Sequence, residues 1–169
     1  MNNNIINPTD LQLNDEHVIQ IKRVSKATTG GRRMRFSAVV VVGDGSGHVG
    51  IGFGRANEVA SAVDKAKISA KKRIFKTPMI KGTIPHRLDI KFGSVKLMIK
   101  PASPGTGIIA GAAVRAIMEH LGITDILTKN TGSTNPINVV KAVEFGLKQL
   151  RDPIMVSRQR GISLKELFN

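Results

Sequence analysis

From His48 to Arg55 the chain reads HVGIGFGR, so Gly50, Gly52 and Gly54 alternate with Val49, Ile51 and Phe53. This is the pattern of a strand, and glycines so placed serve tight turns and the close approach of another backbone. Gly43-Asp44-Gly45-Ser46-Gly47 separates this strand from the apolar run Val39–Val42, which makes the pair a hairpin. A second hairpin precedes it. His17–Lys26 and Arg35–Gly43 are β-rich, and Ala27-Thr28-Thr29-Gly30-Gly31-Arg32-Arg33 between them is a turn cluster tipped with positive charge. Asn57 offers an N-cap, Glu58 falls in the first turn, and no Gly or Pro follows until Pro78, which predicts a helix. On a 100° wheel Val59, Val63, Ala66, Ala70 and Ile74 form its expected buried face, with Lys65, Lys72 and Lys76 gathered opposite.

Pro78, Gly82 and Pro85 punctuate a linker, after which a new register begins. Leu88, Ile90 and Phe92, then Val95, Leu97 and Ile99, alternate with polar residues around Gly93-Ser94, predicting a half-buried hairpin with a basic outer face. Pro101–Gly107 is a loop, Ile108–Leu121 an Ala- and Gly-rich helix stopped by Gly122, and Thr124–Thr128 a short strand. Asn135 as N-cap with Pro136 at N1 opens a last long helix, with Val140, Val143, Leu147 and Leu150 as its buried stripe. The predicted order is β-β-β-α, then β-β-α-β-α: an α+β protein of two sheets with helices on one face. The corresponding parts are a tail over residues 1–14, a first domain over 15–78, a second domain over 79–155 and an extension over 156–169.

The formal charge of +14 on 169 residues calls for a polyanionic partner, and its location narrows the partner further. Residues 17–100 hold 18 basic and 4 acidic residues, while the two ends together cancel. The chain has no Trp and no Tyr, which removes the apolar side of a membrane-surface helix and leaves stacking platforms poorly supplied. Recognition is expected to run through phosphates and shape. Cys is absent, so thiolate metal sites and cysteine nucleophiles are excluded. The first 16 residues lack Lys and Arg and resemble no export or transit signal, and no apolar run is long enough to span a bilayer.

Gly45-Ser46-Gly47-His48-Val49-Gly50 matches a dinucleotide fingerprint by letters. A fingerprint loop opens directly into a helix, whereas this one continues as a strand, so the match carries no cofactor. His17, His48, His86 and His120 are scattered, fit structural or surface roles, and define no metal site. Nothing points to a catalytic constellation, a cofactor or an enzyme. Pro101–Gly107, expected to enter a helix N-terminus, fits either a backbone cradle for phosphate or a tightly packed connecting loop. Lys26, Arg32, Arg33, Lys65, Lys71, Lys72, Arg73 and Lys76 concentrate in the segment that holds the net charge, which favours RNA as the ligand.

Several stretches resemble the bacterial-type ribosomal protein S5 family: RVSKATTGGR from Arg23, FSAVVVVGDGSGHVGIGFG from Phe36, PASPGTGIIAGAAVR from Pro101 and GSTNPINVV from Gly132, in that order and spacing. The resemblance covers about residues 15–155. It implies an N-terminal half like a double-stranded-RNA-binding domain and a C-terminal half of the ribosomal S5 domain 2-like type. It further implies a monomer within the 30S subunit that binds 16S rRNA, touches ribosomal proteins S4 and S8 with S3 nearby, helps shape the mRNA entry region and influences decoding accuracy. The setting would be the cytoplasm or, for an organellar ribosome, the plastid stroma. A free-standing double-stranded-RNA binder is the alternative. The expected rRNA-binding residues are Lys22, Arg23, Lys26, Gly30, Gly31, Arg32, Arg33, Arg55, Lys65, Lys72 and Lys76. Those expected at the S4 contact are Gly105, Thr106, Gly107 and Arg115, although Arg115 can instead close an internal salt bridge with Glu119.

Overall fold

The computed structural model describes residues 11–13 and 16–168. The polar tail expected over 1–14 lies, apart from 11–13, outside the described residues. In chain order the elements are β1 (His17–Thr28), β2 (Gly31–Gly43), β3 (His48–Ala56), α1 (Val59–Lys71) and β4 (Phe75–Lys76). There follow β5 (Leu88–Phe92), β6 (Val95–Pro101), β7 (Ile108–Ile109), α2 (Ala112–Leu121), β8 (Ile126–Gly132), α3 (Pro136–Leu147), α4 (Pro153–Arg160) and α5 (Leu164–Phe168). One sheet has the order β1-β2-β3-β4, all antiparallel, and the other β5-β6-β8-β7, in which β7 runs parallel to β8. The α+β class and both leading hairpins are as predicted. The short strands β4 and β7 and the helices α4 and α5 are additional.

The valine run of β2 is continuous because both of its faces are covered. Ala38, Val40 and Val42 pack with Ala62, Ala66 and Ala70 of α1. Val39 and Val41 point the other way, into a larger core with Val49, Ile51, Leu97, Ile117, Leu121 and Val140. The first sheet therefore lies between its own helix and the second half of the chain, and the two halves share one core. At about 25 cal/mol per Å² of apolar surface, a fully buried valine contributes about 1.5–3 kcal/mol, so this shared layer holds the halves together firmly.

The glycines of β3 set how closely α1 can approach. A Cβ at Gly50, Gly52 or Gly54 would collide with the carbonyl oxygen of Ala70, Ala66 or Ala62 respectively. Four helical residues advance about 6 Å and two strand residues about 6.8 Å, so an alanine at every fourth position meets a glycine at every second one. Of the expected buried face of α1, Ala66 and Ala70 are buried and Val63 packs beside them, but Val59 is exposed and Ala62, not expected there, is buried in its stead. Only the smallest side chains fit against a bare strand. Ile74 is buried too, but beyond the end of the helix. The N-cap is Glu58, without a side-chain capping bond, and not Asn57.

The helix also ends earlier than predicted. After Lys71 the chain turns, with the Arg73 N–H bonded to the Ala70 carbonyl at 3.0 Å, and adds Phe75–Lys76 to the edge of β3. Pairing that edge occupies backbone groups which a longer helix would leave open. In the second half, Ile108–Ile109 form β7 and α2 starts only at Ala112, because Gly107 has φ 75° and the N-cap Gly111 is extended. The strand expected at Thr124–Thr128 is Ile126–Gly132. The last long helix begins as predicted: the Asn135 side chain accepts from the Ile137 N–H at 3.2 Å, with Pro136 in the first turn. Val140, Val143, Leu147 and Leu150 are all buried.

Candidate nucleic-acid interface

The outer part of the β1–β2 hairpin projects as an arm. Lys22, Arg23, Lys26, Arg32, Arg33 and Arg35 are all exposed on it, and no acidic residue occurs between Glu16 and Asp44. Pairing fixes which of them share a face. Lys22 lies opposite Ser37, Val24 opposite Arg35, Lys26 opposite Arg33, and Ser37 in turn opposite Arg55. Lys22, Lys26, Arg33, Arg35 and Arg55 therefore stand on one face, and Arg23 and Arg32 on the other. Val24, Ser25, Lys26, Thr28, Arg33, Arg35 and Arg55 line a shallow concavity on the first of these faces.

Direct opposition of like charges across an antiparallel pair is unfavourable. Lys26 and Arg33 are so opposed, and no carboxylate on the arm offsets them. Arg35 completes this face and was missing from the predicted set, because it follows the turn cluster that drew attention to its neighbours. The turn itself is shorter than predicted. Only Thr29 and Gly30 close it, since Ala27 pairs with Arg32 and Thr28 with Gly31, leaving Arg32 and Arg33 on the strand. Thr28 Oγ1 donates to the Gly31 carbonyl at 3.0 Å. Gly31 has φ 131°, whereas Gly30 is not among the positive-φ residues.

The three lysines expected on one helix face are separated. Lys65 is on α1, Lys72 is its C-cap residue, and Lys76 is on β4 opposite His48. All three are exposed. Lys67 of the same helix is paired with Glu16, and this bond holds the Glu16 carboxyl below its ordinary pKa.

The Pro101–Gly107 loop is closed to phosphate by an internal carboxylate. Asp125, only 7% exposed, accepts from the Gly107 N–H at 2.9 Å and from Thr124 Oγ1 at 2.7 Å. The Thr124 hydroxyl first, then the amide of Gly107 and those of Gly105 and Thr106, hold its carboxyl below the ordinary pKa. The loop is a connection held by Asp125, but it is not tightly packed: Ser103–Thr106 are exposed, and a Cβ at Gly105 or Gly107 would meet nothing within 4 Å, so these glycines serve positive φ and not close packing. Asp125 escaped sequence reasoning because it was assigned to a strand; a carboxylate just after Thr124 and next to a glycine-rich loop is the signal that could have found it. Arg115 is exposed, and among the described residues it makes no ion pair, so the expected internal bridge to Glu119 does not form.

The glycine hairpin that mimics a nucleotide loop has a structural task. The Gly45 and Gly47 N–H groups donate to the carbonyls of His120 and Leu121, both at 3.0 Å, and so cap the C-terminal end of α2 from the other half of the chain. Asp44 steadies this turn through His48 Nδ1 at 2.6 Å and the Ser46 N–H at 2.8 Å. Burial works against its charge, but these bonds prevail and hold the carboxyl below its ordinary pKa. The contact to His48 also shows that a carboxylate does meet one of the histidines. Among the described residues no cluster of three His, Cys, Asp or Glu could hold a metal ion. No described helix is long and apolar enough to cross a membrane.

An α+β body with a net charge of +14, from which a hairpin arm projects six basic residues and no acidic one, is a protein built to bind a polyanion. The family model of the ribosomal protein S5 N-terminal domain matches residues 14–78, and that of the ribosomal protein S5 C-terminal domain matches residues 90–160. Small ribosomal subunit protein uS5 of Bacteroides thetaiotaomicron is 48% identical over 168 residues, covering 99% of this chain and 97% of the relative. The proteins of that name from Bacteroides fragilis and Phocaeicola vulgatus are each 46% identical, again over 99% of this chain. The chain belongs to the ribosomal protein S5 family. It is a structural constituent of the small ribosomal subunit and not an enzyme.

Proposed function

We propose that the β1–β2 arm is the principal grip of this protein on 16S rRNA. The face bearing Lys22, Lys26, Arg33, Arg35 and Arg55 is read as following the phosphate backbone, with Arg23 and Arg32 on the reverse face. The observation that carries this reading is the direct opposition of Lys26 and Arg33 on an arm without acidic residues, an arrangement favoured when an anion is bound. Gly30 and Gly31 serve by closing the turn. Lys65 and Lys72 extend the basic surface along and beyond α1, and Lys76 contributes from the sheet edge.

In the same reading, residues 15–78 form the RNA-binding part and residues 79–155 the part that meets neighbouring proteins. The loop Gly105-Thr106-Gly107, which Asp125 holds in shape, and the exposed Arg115 face ribosomal protein S4. Ribosomal protein S8 is a further neighbour, S3 lies nearby, and the assembly helps shape the mRNA entry region and decoding accuracy in a cytoplasmic ribosome.

The test is to measure binding of the full chain to a 16S rRNA fragment across salt concentrations, with and without the paired change Lys26→Gln and Arg33→Gln. Each phosphate contact contributes about one unit to the slope of log K against log salt, so the paired variant should lose roughly two units. An unchanged slope would remove the arm from the interface.

A further inference from the structure

The chain contains one Asp-Gly step, Asp44-Gly45, and no Asn-Gly. An Asp-Gly step is chemically vulnerable, because glycine has no side chain to shield its amide nitrogen from the carboxyl group before it. The Gly45 nitrogen can attack Asp44 Cγ. A new N–C bond forms as the carboxyl hydroxyl and the amide proton depart as water, leaving a five-membered succinimide. Water then opens the ring. Attack at Cγ restores aspartate, whereas attack at the Asp44 main-chain carbonyl breaks its bond to Gly45 and leaves isoaspartate, with the main chain running through Cγ. The structure holds both reactants back. The Gly45 N–H donates to the His120 carbonyl at 3.0 Å, so its proton is kept inside the junction between the halves. Asp44 Oδ1 accepts from the Ser46 and His48 N–H groups at 2.8 and 3.0 Å, and Oδ2 lies 2.6 Å from His48 Nδ1. The Asp44 side chain is only 9% exposed. Its lowered pKa keeps it a carboxylate, which lacks the hydroxyl that must leave.

We infer that Asp44-Gly45 is a latent site of spontaneous backbone isomerisation, shut by docking of the glycine hairpin on the end of α2 and opened when the two halves part. The fit at this junction leaves no slack. A Cβ at Gly122 would run into the Gly45 carbonyl, and one at Gly43 into the His120 carbonyl. Isoaspartate adds one carbon to the main chain, a step of about 1.5 Å, just before Gly45. The Gly45 and Gly47 N–H groups then no longer reach the His120 and Leu121 carbonyls together, and the end of α2 loses its cap. A chain that isomerises while open therefore carries a covalent mark at the place where its halves must meet. The new α-carboxylate is also the group that an isoaspartyl methyltransferase would take as substrate.

The test ages the full chain at neutral pH, folded in buffer and unfolded in guanidinium chloride. Isoaspartate at residue 44 is measured in the tryptic peptide 36–55 by electron-transfer fragmentation. It should accumulate at least about tenfold faster in the unfolded chain, because in buffer only the opened fraction reacts. Two variants aged in buffer should fall between these limits: His48→Ala, which frees Asp44 Oδ2, and Gly122→Ala, whose Cβ would press on the Gly45 carbonyl. The parent's two rates decide the matter even where a variant fails to fold. Isomerised chains returned to buffer should show lower amide protection at Gly45 and Gly47 than unmodified chains treated alike. Equal rates in the folded and unfolded parent would overturn the closure, and absence of isoaspartate from the unfolded chain would overturn the site. Unchanged protection of Gly45 and Gly47 after isomerisation would overturn its link to the α2 cap.

Discussion

At the inner end of β2, Val40 faces Gly52 across the strands and Val39 faces Phe53, under α1 on one side and the second half of the chain on the other. At its outer end the same strand faces β1 with Arg33 against Lys26 and Arg32 against Ala27, exposed on both sides. The inner end is specified by volume, down to the absence of a single Cβ. The outer end is specified by charge and tolerates many shapes. Substitutions inside should therefore be read in stability, and substitutions outside in binding, although they lie on one hairpin.

The strongest way to break this distinction is to fill the space between helix and strand. A Cβ at Gly52 would meet the Ala66 carbonyl and press on the Ala70 N–H and side chain, so backbone crowds it and cannot move aside. Overpacking a core of this kind costs about 3 kcal/mol at the upper end of its usual range. Gly52→Ala should therefore lower Tm by roughly 6–12 °C for a chain of this size, and Gly52→Val more. Differential scanning calorimetry on the free protein checks it. A shift near zero would mean that α1 does not rest on β3 as closely as described.

An intermediate effect is expected where a charge serves structure and not binding. Asp125 is held below the ordinary carboxyl pKa by Thr124 and by the Gly107, Gly105 and Thr106 amides. A group with a depressed folded pKa contributes stability above its unfolded pKa of about 3.9, and that stability is lost as pH falls through the folded value. Acidification should therefore loosen the Gly105–Gly107 loop, seen as a lower amide protection factor at Gly107, the exchange rate being referred to the intrinsic rate at each pH. Asp125→Asn should start from a lower Tm at neutral pH and lose less than the parent on acidification. Glu16, Asp44 and Glu166 are also depressed and supply a background common to both proteins. Equal losses in the two proteins would show that the loop does not depend on this carboxylate.

The sequence was most informative where one local signal determines one element. The β2–β3 hairpin, the Asn135 cap with Pro136, and the left-handed Gly122 at the end of α2 are all such cases. It was less informative where a partner decides. The helical wheel of α1 included Ala66 and Ala70 but set Val59 beside them and missed Ala62; that the glycine-bare strand beneath is met by alanines at every fourth position requires knowing that β3 and α1 touch. Ile108–Ile109 read as helix because their strand partner, β8, lies many residues ahead. The basic residues were legible as a cluster, but their division between the two faces of the arm, and the addition of Arg35, depend on a register that only the pairing supplies.

The smallest expected effect sharpens the comparison at the tip of the arm, where two adjacent glycines look alike in sequence. Gly31 has φ 131° and Gly30 has no such requirement, while neither would bring a Cβ within 4 Å of another group. Space is thus removed as a variable and backbone conformation alone distinguishes them. An L-residue at Gly31 should be strained by about 1–2 kcal/mol, whereas at Gly30 the change should stay within about 0.5 kcal/mol or stabilise slightly through the unfolded state. The strained tip can relieve itself by opening the Thr28–Gly31 and Ala27–Arg32 pairs without disturbing the shared core, so Tm should move little in either variant. The difference should appear in amide exchange along the arm, fast for Gly31→Ala and near the parent for Gly30→Ala. Equal exchange would show that the turn does not use the conformational freedom of Gly31; a large fall in Tm for Gly31→Ala would show that arm and core fold as one unit, and would end the separation of volume from charge along this hairpin.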